Sequence, residues 1–398
     1  MAVNSRIELR SEEIQKDPYP TYAYMRENEP VCVLADGQYA LTRDEDVRNA
    51  LSDSETFSSA IEIISAPDWL DPEYRRSMFI LSKDPPDHTK YRAIANKQFN
   101  AGVIKNLLPL MESTATGLIS RLKEKKAVEF VTEFAYPYVG EIIGKINVSG
   151  ENPPLDDTKA NLELRELNTP ERPSEEHIRA LEAEIAKQNR YYDAILRDRK
   201  SNPKEDLATV LVQAEVDGEA LSQNEMRDAL DLFTAAGFHT TAQLLASAML
   251  YLARYPDLRR QLAEEPSLIP DFVEELLRFD GPTHRVLRKA TRDVVLHGVR
   301  IPRGAIVSVI ISAANHDPSV FSNPERFDIS RKNNRKHLQF SGGAHVCIGS
   351  ALARAEMRVA LEIILRTVEN ITCLPEYEPQ YTGTMTTRGL RQLLVRFD

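Results

Sequence analysis

Cysteine is scarce in this chain. The three present, Cys32, Cys347 and Cys373, are an odd number and lie far apart. They form no disulfide framework. No C-x-x-C pair occurs, which argues against structural zinc and iron–sulfur sites. A metal held at Cys347 would have that sulfur as its only thiolate. Long apolar runs are also missing. Nothing approaches the ~20 uninterrupted apolar residues that cross a bilayer, so no membrane association is expected. The opening residues, MAVNSRIELRSEEIQKDPYP, are polar and charged. No signal peptide or anchor is read there, and a cytoplasmic location is expected. Positive charge is in deficit, with 50 Lys and Arg against 60 Asp and Glu. That balance argues against a nucleic-acid partner. Internal repeats and low-complexity stretches are absent.

What is present is a large apolar fraction, 42% of 398 residues. Length alone allows two or three domains, since single cores stop growing at roughly 250–300 residues. No composition shift marks a boundary, however. Residues 147–174, polar and Pro-containing, read as a connection more than a domain linker. Helical spacing dominates from about Asp87 onward, in LLPLMESTATGLISRLKE and PSEEHIRALEAEIAKQNRYYDAILRDRK. EMRDALDLFTAAGFHTTAQLLASAMLYLARYP is apolar nearly all round, the mark of a helix in the middle of a core. Short strand patterns flank turns at Asp36-Gly37, Gly298 and Arg303-Gly304. The tail TGTMTTRGLRQLLVRF reads as a further turn and strand. The fold class expected is mainly α with small β-sheets.

Four local patterns carry chemistry. In QFSGGAHVCIGSALARAE, Cys347 stands before a strong helix former. Backbone N–H groups at such a helix start favour an anion and lower a thiol pKa. Gly342, Gly343 and Gly349 leave room for something bulky. An inert buried cysteine satisfies the same local pattern. In AAGFHTT, Gly237 costs a helix interior ~1 kcal/mol, and Thr240 on the same face can bond back and loosen the turn. Close helix packing explains it equally well. In EELLRF, Glu275 and Arg278 share a helix face, as a surface pair or as a buried pair with further partners such as Arg326. In KDPPDHTKYR, His88 and Arg92 are four residues apart, set to hold a carboxylate or merely to solvate a helix start capped by Asp87.

Taken together and in this order, the patterns resemble the cytochrome P-450 superfamily, the haem-thiolate monooxygenases, in its soluble bacterial form. The resemblance covers essentially the whole chain, so that residues 1–398 read as one haem domain. Phe340, Gly343, His345, Cys347 and Gly349 match the family's F-G-x-G-x-H-x-C-x-G. Glu275 and Arg278 match its E-x-x-R, Arg326 its meander arginine, and AGFHTT part of its A-G-x-[ED]-T-T. The resemblance implies haem b, iron protoporphyrin IX, lying between a long central helix and the cysteine-bearing loop and helix. Cys347 would be the axial ligand of the iron. His88, Arg92, Arg288 and His345 would hold the propionates, and Phe340 would pack beside the sulfur. Glu275, Arg278 and Arg326 would form a structural network. Ala236, Gly237 and Thr240 would line the oxygen pocket.

Two positions depart from the family pattern. Ser341 replaces a glycine, with only a small adjustment expected. His239 replaces the acid that helps deliver protons. An imidazole with an unperturbed pKa of ~6.5 can also relay protons, or the relay can bypass it through water. Residues 60–82, with Trp69, Tyr74 and Phe79, are expected to cover the haem. Stretches 233–241, 282–287 and 383–387 would add walls, His284 and Arg285 hinting at a substrate with carbonyl or amide groups. The chain has no flavin or ferredoxin part of its own, so a ferredoxin and its reductase are expected as electron donors. Arg331, Lys332, Arg335, Lys336, Arg354 and Arg358 would present a basic docking face. The expected function is dioxygen-dependent hydroxylation or epoxidation of a small secondary metabolite by a monomer. Oxidative C–C or C–N coupling of an aromatic or peptide-like substrate, and a non-catalytic haem sensor, are the alternatives.

Overall fold

Helices dominate the chain, as the periodicity predicts. The computed structural model describes residues 7–61, 69–71, 74, 78–150, 173–375, 377–383 and 386–397. The helices are α1 (Glu12–Lys16), α2 (Tyr19–Asn28), α3 (Asp44–Ser52), α4 (Asp87–Asn96), α5 (Ala101–Leu122), α6 (Tyr136–Val148), α7 (Glu175–Ser201), α8 (Leu207–Val212), α9 (Gln223–Arg254), α10 (Pro256–Glu264), α11 (Ile269–Asp280), α12 (Ile311–Ala314) and α13 (Ser350–Thr367). Most of the connection expected over 147–174 lies outside the described residues. No described helix is long and apolar enough to cross a membrane.

The central helix is α9. Ser222 caps it: its Oγ accepts from the Glu225 N–H at 3.2 Å, and Glu225 Oε2 accepts from the Ser222 N–H at 2.9 Å. It is buried along most of its length and stops before Pro256. Apolar faces of α5, α6, α11 and α13 meet it in one core that includes Met111, Tyr138, Leu245 and Leu361. The ladder of α9 runs unbroken through Gly237, so the loosening expected there does not occur. Gly237 instead gives room to α6: a Cβ on it would lie 2.8 Å from Ile143 Cδ1. A π-helical turn, Val131–Ala135, leads into α6.

The strands form small sheets. The largest has five, in the order β1 (Val31–Val33), β2 (Tyr39–Leu41), β5 (Ile306–Val309), β4 (Val286–Ala290) and β3 (Phe57–Ser58). All its pairings are antiparallel except β2 with β5. The turn at Asp36-Gly37 joins β1 to β2, as expected. His297 and Gly298 both take positive φ, 50° and 79°, in the tight hairpin joining Val294–Leu296 to Val299–Ile301. At α4 the cap is Pro86, and Asp87 is the first helical residue, contrary to the expected cap.

Candidate haem-thiolate site

A cavity of about 480 Å³ lies between α9 and the loop that precedes α13. Its walls are largely apolar, with Ile61, Leu70, Met78, Ile80, Leu244, Leu277 and Val286 among them. Cys347 opens onto it from the loop side. The Cys347 N–H donates to the Phe340 carbonyl at 2.8 Å, which closes the loop over the sulfur. Gly343 takes a left-handed φ of 63°, and a Cβ there would collide with the Leu51 carbonyl oxygen at the end of α3. Ser341 takes the same region, φ 61°, and its buried Oγ has no hydrogen-bond partner among the described residues. The departure from glycine is therefore a strained one, larger than the small adjustment expected.

Cys347 is exposed and lines the cavity, and protein packs around it elsewhere. Burial pushes its pKa up; the Gly349 N–H, Arg92 and Arg354 pull the other way. The lowered pKa expected from a helix start does not result, because α13 begins three residues later and burial wins. A bound metal ion removes that difficulty by holding the deprotonated sulfur. Phe340 is held from behind, with the Arg354 guanidinium 4.4 Å above its ring centroid. Arg354 in turn donates to both oxygens of Glu274, at 2.5 and 3.0 Å, and His337 Nε2 lies 3.2 Å from the same carboxylate.

The structure brings His88, Arg92, Arg288 and His345 together on the cavity wall. The rings of His88 and His345 lie 4.2 Å apart. Arg92 Nη1 donates to the Ala344 carbonyl at 3.2 Å, and Arg288 Nη1 to the Leu287 carbonyl at 2.8 Å. Burial, then Arg288 and His88, push the His345 pKa down to about 4. Burial and Arg92 lower that of His88, and burial lowers Arg288 to about 10. Arg92 thus lowers His88, and Arg288 and His88 lower His345, while burial lowers both arginines and Asp84 raises His88, Arg288 and His345. His88 Nε2 and His345 Nε2 are buried with no partner among the described residues. Such a cluster calls for carboxylates from a ligand.

Across the cavity, Ala236, Gly237, His239 and Thr240 of α9 form the facing wall. Thr240 Oγ1 donates to the Ala236 carbonyl at 2.7 Å, the back-bond read from the sequence. Tyr74 lines the cavity, whereas Trp69 does not, and Phe79 is buried edge-on to Tyr91 and Phe233 in the core. Much of the expected cover, 62–68, 72–73 and 75–77, lies outside the described residues, as do 384–385. Thr283, Arg285, Thr386 and Thr387 do line the cavity. His284 faces away: its Nδ1 is 3.1 Å from the Tyr22 hydroxyl, and burial holds its pKa well below the usual range.

Glu275 and Arg278 are fully buried and bidentate, at 2.9 and 2.8 Å. Arg326 does not complete this pair with its side chain, which is exposed. Its carbonyl accepts from Arg278 at 3.3 Å and from Arg331 at 3.0 Å. The second guanidinium on Glu275 is that of Arg331, whose Nε is 3.2 Å from Glu275 Oε1. The basic face shrinks accordingly. Arg331, Arg354 and Arg358 are engaged by Glu275, Glu274 and Glu362, leaving Lys332, Arg335 and Lys336 exposed. Sequence reasoning also missed Glu356 and Gln339 on the cavity wall. The spacing Gly349, Leu352, Ala353, Glu356 is the signal that would have found the first.

The model of the family described as cytochrome P450 matches residues 10–388. Cytochrome P450 CYP107DY1 of Priestia megaterium is 30% identical over 388 residues, covering 95% of this chain and 90% of that protein. The solved structure of cytochrome P450 CYP109Q5 from Chondromyces apiculatus superposes with a TM-score of 0.87 at 29% identity, covering 98% of each chain. P450BioI, solved in complex with an acyl carrier protein ligated with hexadec-9Z-enoic acid, gives 0.86 at 27% identity, with 97% and 99% covered. The chain belongs to the cytochrome P450 family, whose members bind haem and are monooxygenases using dioxygen and paired electron donors. The residues present fit that cofactor: a cysteine facing an apolar cavity, and a cationic cluster with orphaned imidazole nitrogens for two propionates.

Proposed function

We propose that this chain hydroxylates or epoxidises a small, mostly apolar secondary metabolite with electrons from a ferredoxin and its reductase. It works as a single-domain cytoplasmic monomer. The observation that carries the reading is the placement of Cys347 opposite His239 and Thr240 across one apolar cavity. Cys347 would hold the haem iron through its sulfur, His88, Arg92, Arg288 and His345 would take the propionates, and Phe340 would shield the sulfur. Haem with a thiolate ligand supplies the activation of dioxygen and O–O cleavage. The protein supplies orientation, a dry cavity and protons. Thr240, its own proton directed to the Ala236 carbonyl, presents oxygen lone pairs to the cavity, and His239 relays protons beside it. Glu275, Arg278, Arg331 and the Arg326 carbonyl hold the segment behind the cofactor. Arg285, buried in the cavity wall, offers N–H donors to carbonyl or amide groups of a substrate.

His239 in place of an acid favours a second outcome, oxidative coupling of C–C or C–N bonds without oxygen insertion. Ligands are found by spectral shift of the ferric protein. The test is then turnover of a ligand so found, under labelled dioxygen with a surrogate ferredoxin system. One labelled oxygen atom in the product is expected. A coupled product without label would replace hydroxylation by coupling. A reduced, carbon-monoxide-bound spectrum without a thiolate signature would overturn the ligand assignment.

A further inference from the structure

His88 and Arg92 reach the cavity from α4, a helix with few anchors of its own. Pro86 caps it without a side-chain hydrogen bond, and His88, Ile94 and Ala95 are its only buried residues. Lys90 pairs with Asp217 and Asp87 at the surface, where such pairs contribute little.

Tyr91 makes the stronger connection. Its hydroxyl donates to Glu225 Oε1 at 2.5 Å, the length of a bond to a carboxylate. The other oxygen of Glu225 accepts from the Ser222 N–H and hydroxyl at 2.9 and 2.8 Å, as part of the α9 cap. Burial would raise the Glu225 pKa, but the bonds from Tyr91 and Ser222 and the charge of Lys83 bring it below the usual range. The acceptor is therefore an anion. The bond to Glu225, then burial, pushes the Tyr91 pKa up to about 12, so the phenol keeps its proton. The ring is fixed as well. The Lys83 ammonium lies 4.4 Å from its centroid, and Phe79 meets it edge-on at 5.3 Å. One contact thus ties α4 to the start of the helix that forms the opposite wall of the cavity.

His88 and Arg92 repel each other when both are charged. Burial and then Arg92 lower the pKa of His88, and burial lowers that of Arg92. Their charges alone would favour splaying α4 outward. We propose that Tyr91 is a positioning residue for the cofactor: through Glu225 it fixes α4, so that His88 and Arg92 meet the propionates already in place. The role rests on the propionate assignment proposed above, and the measurements separate the two.

Tyr91→Phe keeps the ring and its packing and deletes only the hydroxyl. Haem release from the ferric holoenzyme to excess apomyoglobin is followed by the Soret band. Tyr91→Phe is expected to release haem on the order of tenfold faster, the low side of losing a group that orients a ligand. Glu225→Gln should also speed release, and the double variant should fall short of the product of the two effects, since both weaken one contact. Effects that multiply overturn action through Glu225. A general loosening would speed release too, so resonance Raman spectra of the ferric holoenzyme give the second readout. The propionate-bending band is expected to shift in Tyr91→Phe and in Arg92→Ala. Release from Tyr91→Phe at the wild-type rate overturns the proposal. So does faster release with an unmoved band. If the band moves in Arg92→Ala but not in Tyr91→Phe, the positioning role alone falls. If it moves in neither, the propionate assignment falls with it.

Discussion

Replacing Arg331 with alanine should cost far more stability than replacing Arg326. The Glu275 carboxylate is fully buried and accepts four hydrogen bonds, two from Arg278, one from the Asp328 N–H at 2.9 Å and one from Arg331. Loss of Arg331 removes a charge-assisted bond to a buried anion, worth ~1.5–3 kcal/mol. The carbonyls of Ser322, Asn323 and Arg326 that Arg331 also binds lie toward solvent, where water replaces the donor at little cost. A net loss of about 2 kcal/mol follows. Arg326 contributes its carbonyl, which alanine retains, so Arg326→Ala should fall within ~0.5 kcal/mol of wild type. Arg278→Ala sets the upper end at ~3–5 kcal/mol, because it strands the buried carboxylate. Urea unfolding followed by circular dichroism separates these values. With a slope of roughly 3–4 kcal/mol/M for a chain of this size, 2 kcal/mol moves the midpoint by about 0.5 M. An Arg326→Ala midpoint as low as that of Arg331→Ala would refute the geometry of this network.

The remaining predictions concern the loop and the facing wall. Glu274 is buried; burial alone would raise its pKa, but hydrogen bonds from Arg354 and His337 bring it down to about 2. A carboxyl so lowered adds stability that is present above its unfolded value near 4.5 and lost as pH falls toward 2. Glu274→Gln should therefore flatten the acid limb of the stability profile by about 2–3 kcal/mol, read from urea midpoints between pH 5 and pH 2.5. Ser341→Gly relieves a left-handed backbone and removes an unpartnered buried hydroxyl, partly offset by glycine's greater unfolded freedom; a gain of ~0.5 kcal/mol in unfolding free energy is expected. His239→Asp places an acid next to Thr240 and should lower peroxide release per NADPH roughly several-fold, below a full general-acid contribution because His239 already relays protons. An unchanged yield would show that His239 takes no part in proton delivery.

Local chemistry was legible in the linear chain. Ser222 with Glu225 starts α9 and Pro256 stops it, because caps and proline act within a turn. Cys347 and its glycines, His88 with Arg92, and Glu275 with Arg278 were recognisable by spacing, and the structure gathers the first two sets on one cavity and buries the third. Where neighbours come from distant segments, spacing carried no signal. Arg331 reaches Glu275 from 56 residues away and Arg354 reaches Glu274 from 80, so the exposed Arg326 looked like the partner and a basic face looked larger than it is. His284 turned out to face Tyr22, 262 residues distant. The sequence by itself determined which elements form, since propensity, capping and periodicity act over a few residues. Only the tertiary structure decided which charges are neutralised, which polar atoms are left without partners, and that a buried carboxyl, Glu356, shares the cavity with His239. Those outcomes depend on desolvation and on contacts between segments that the chain order keeps apart.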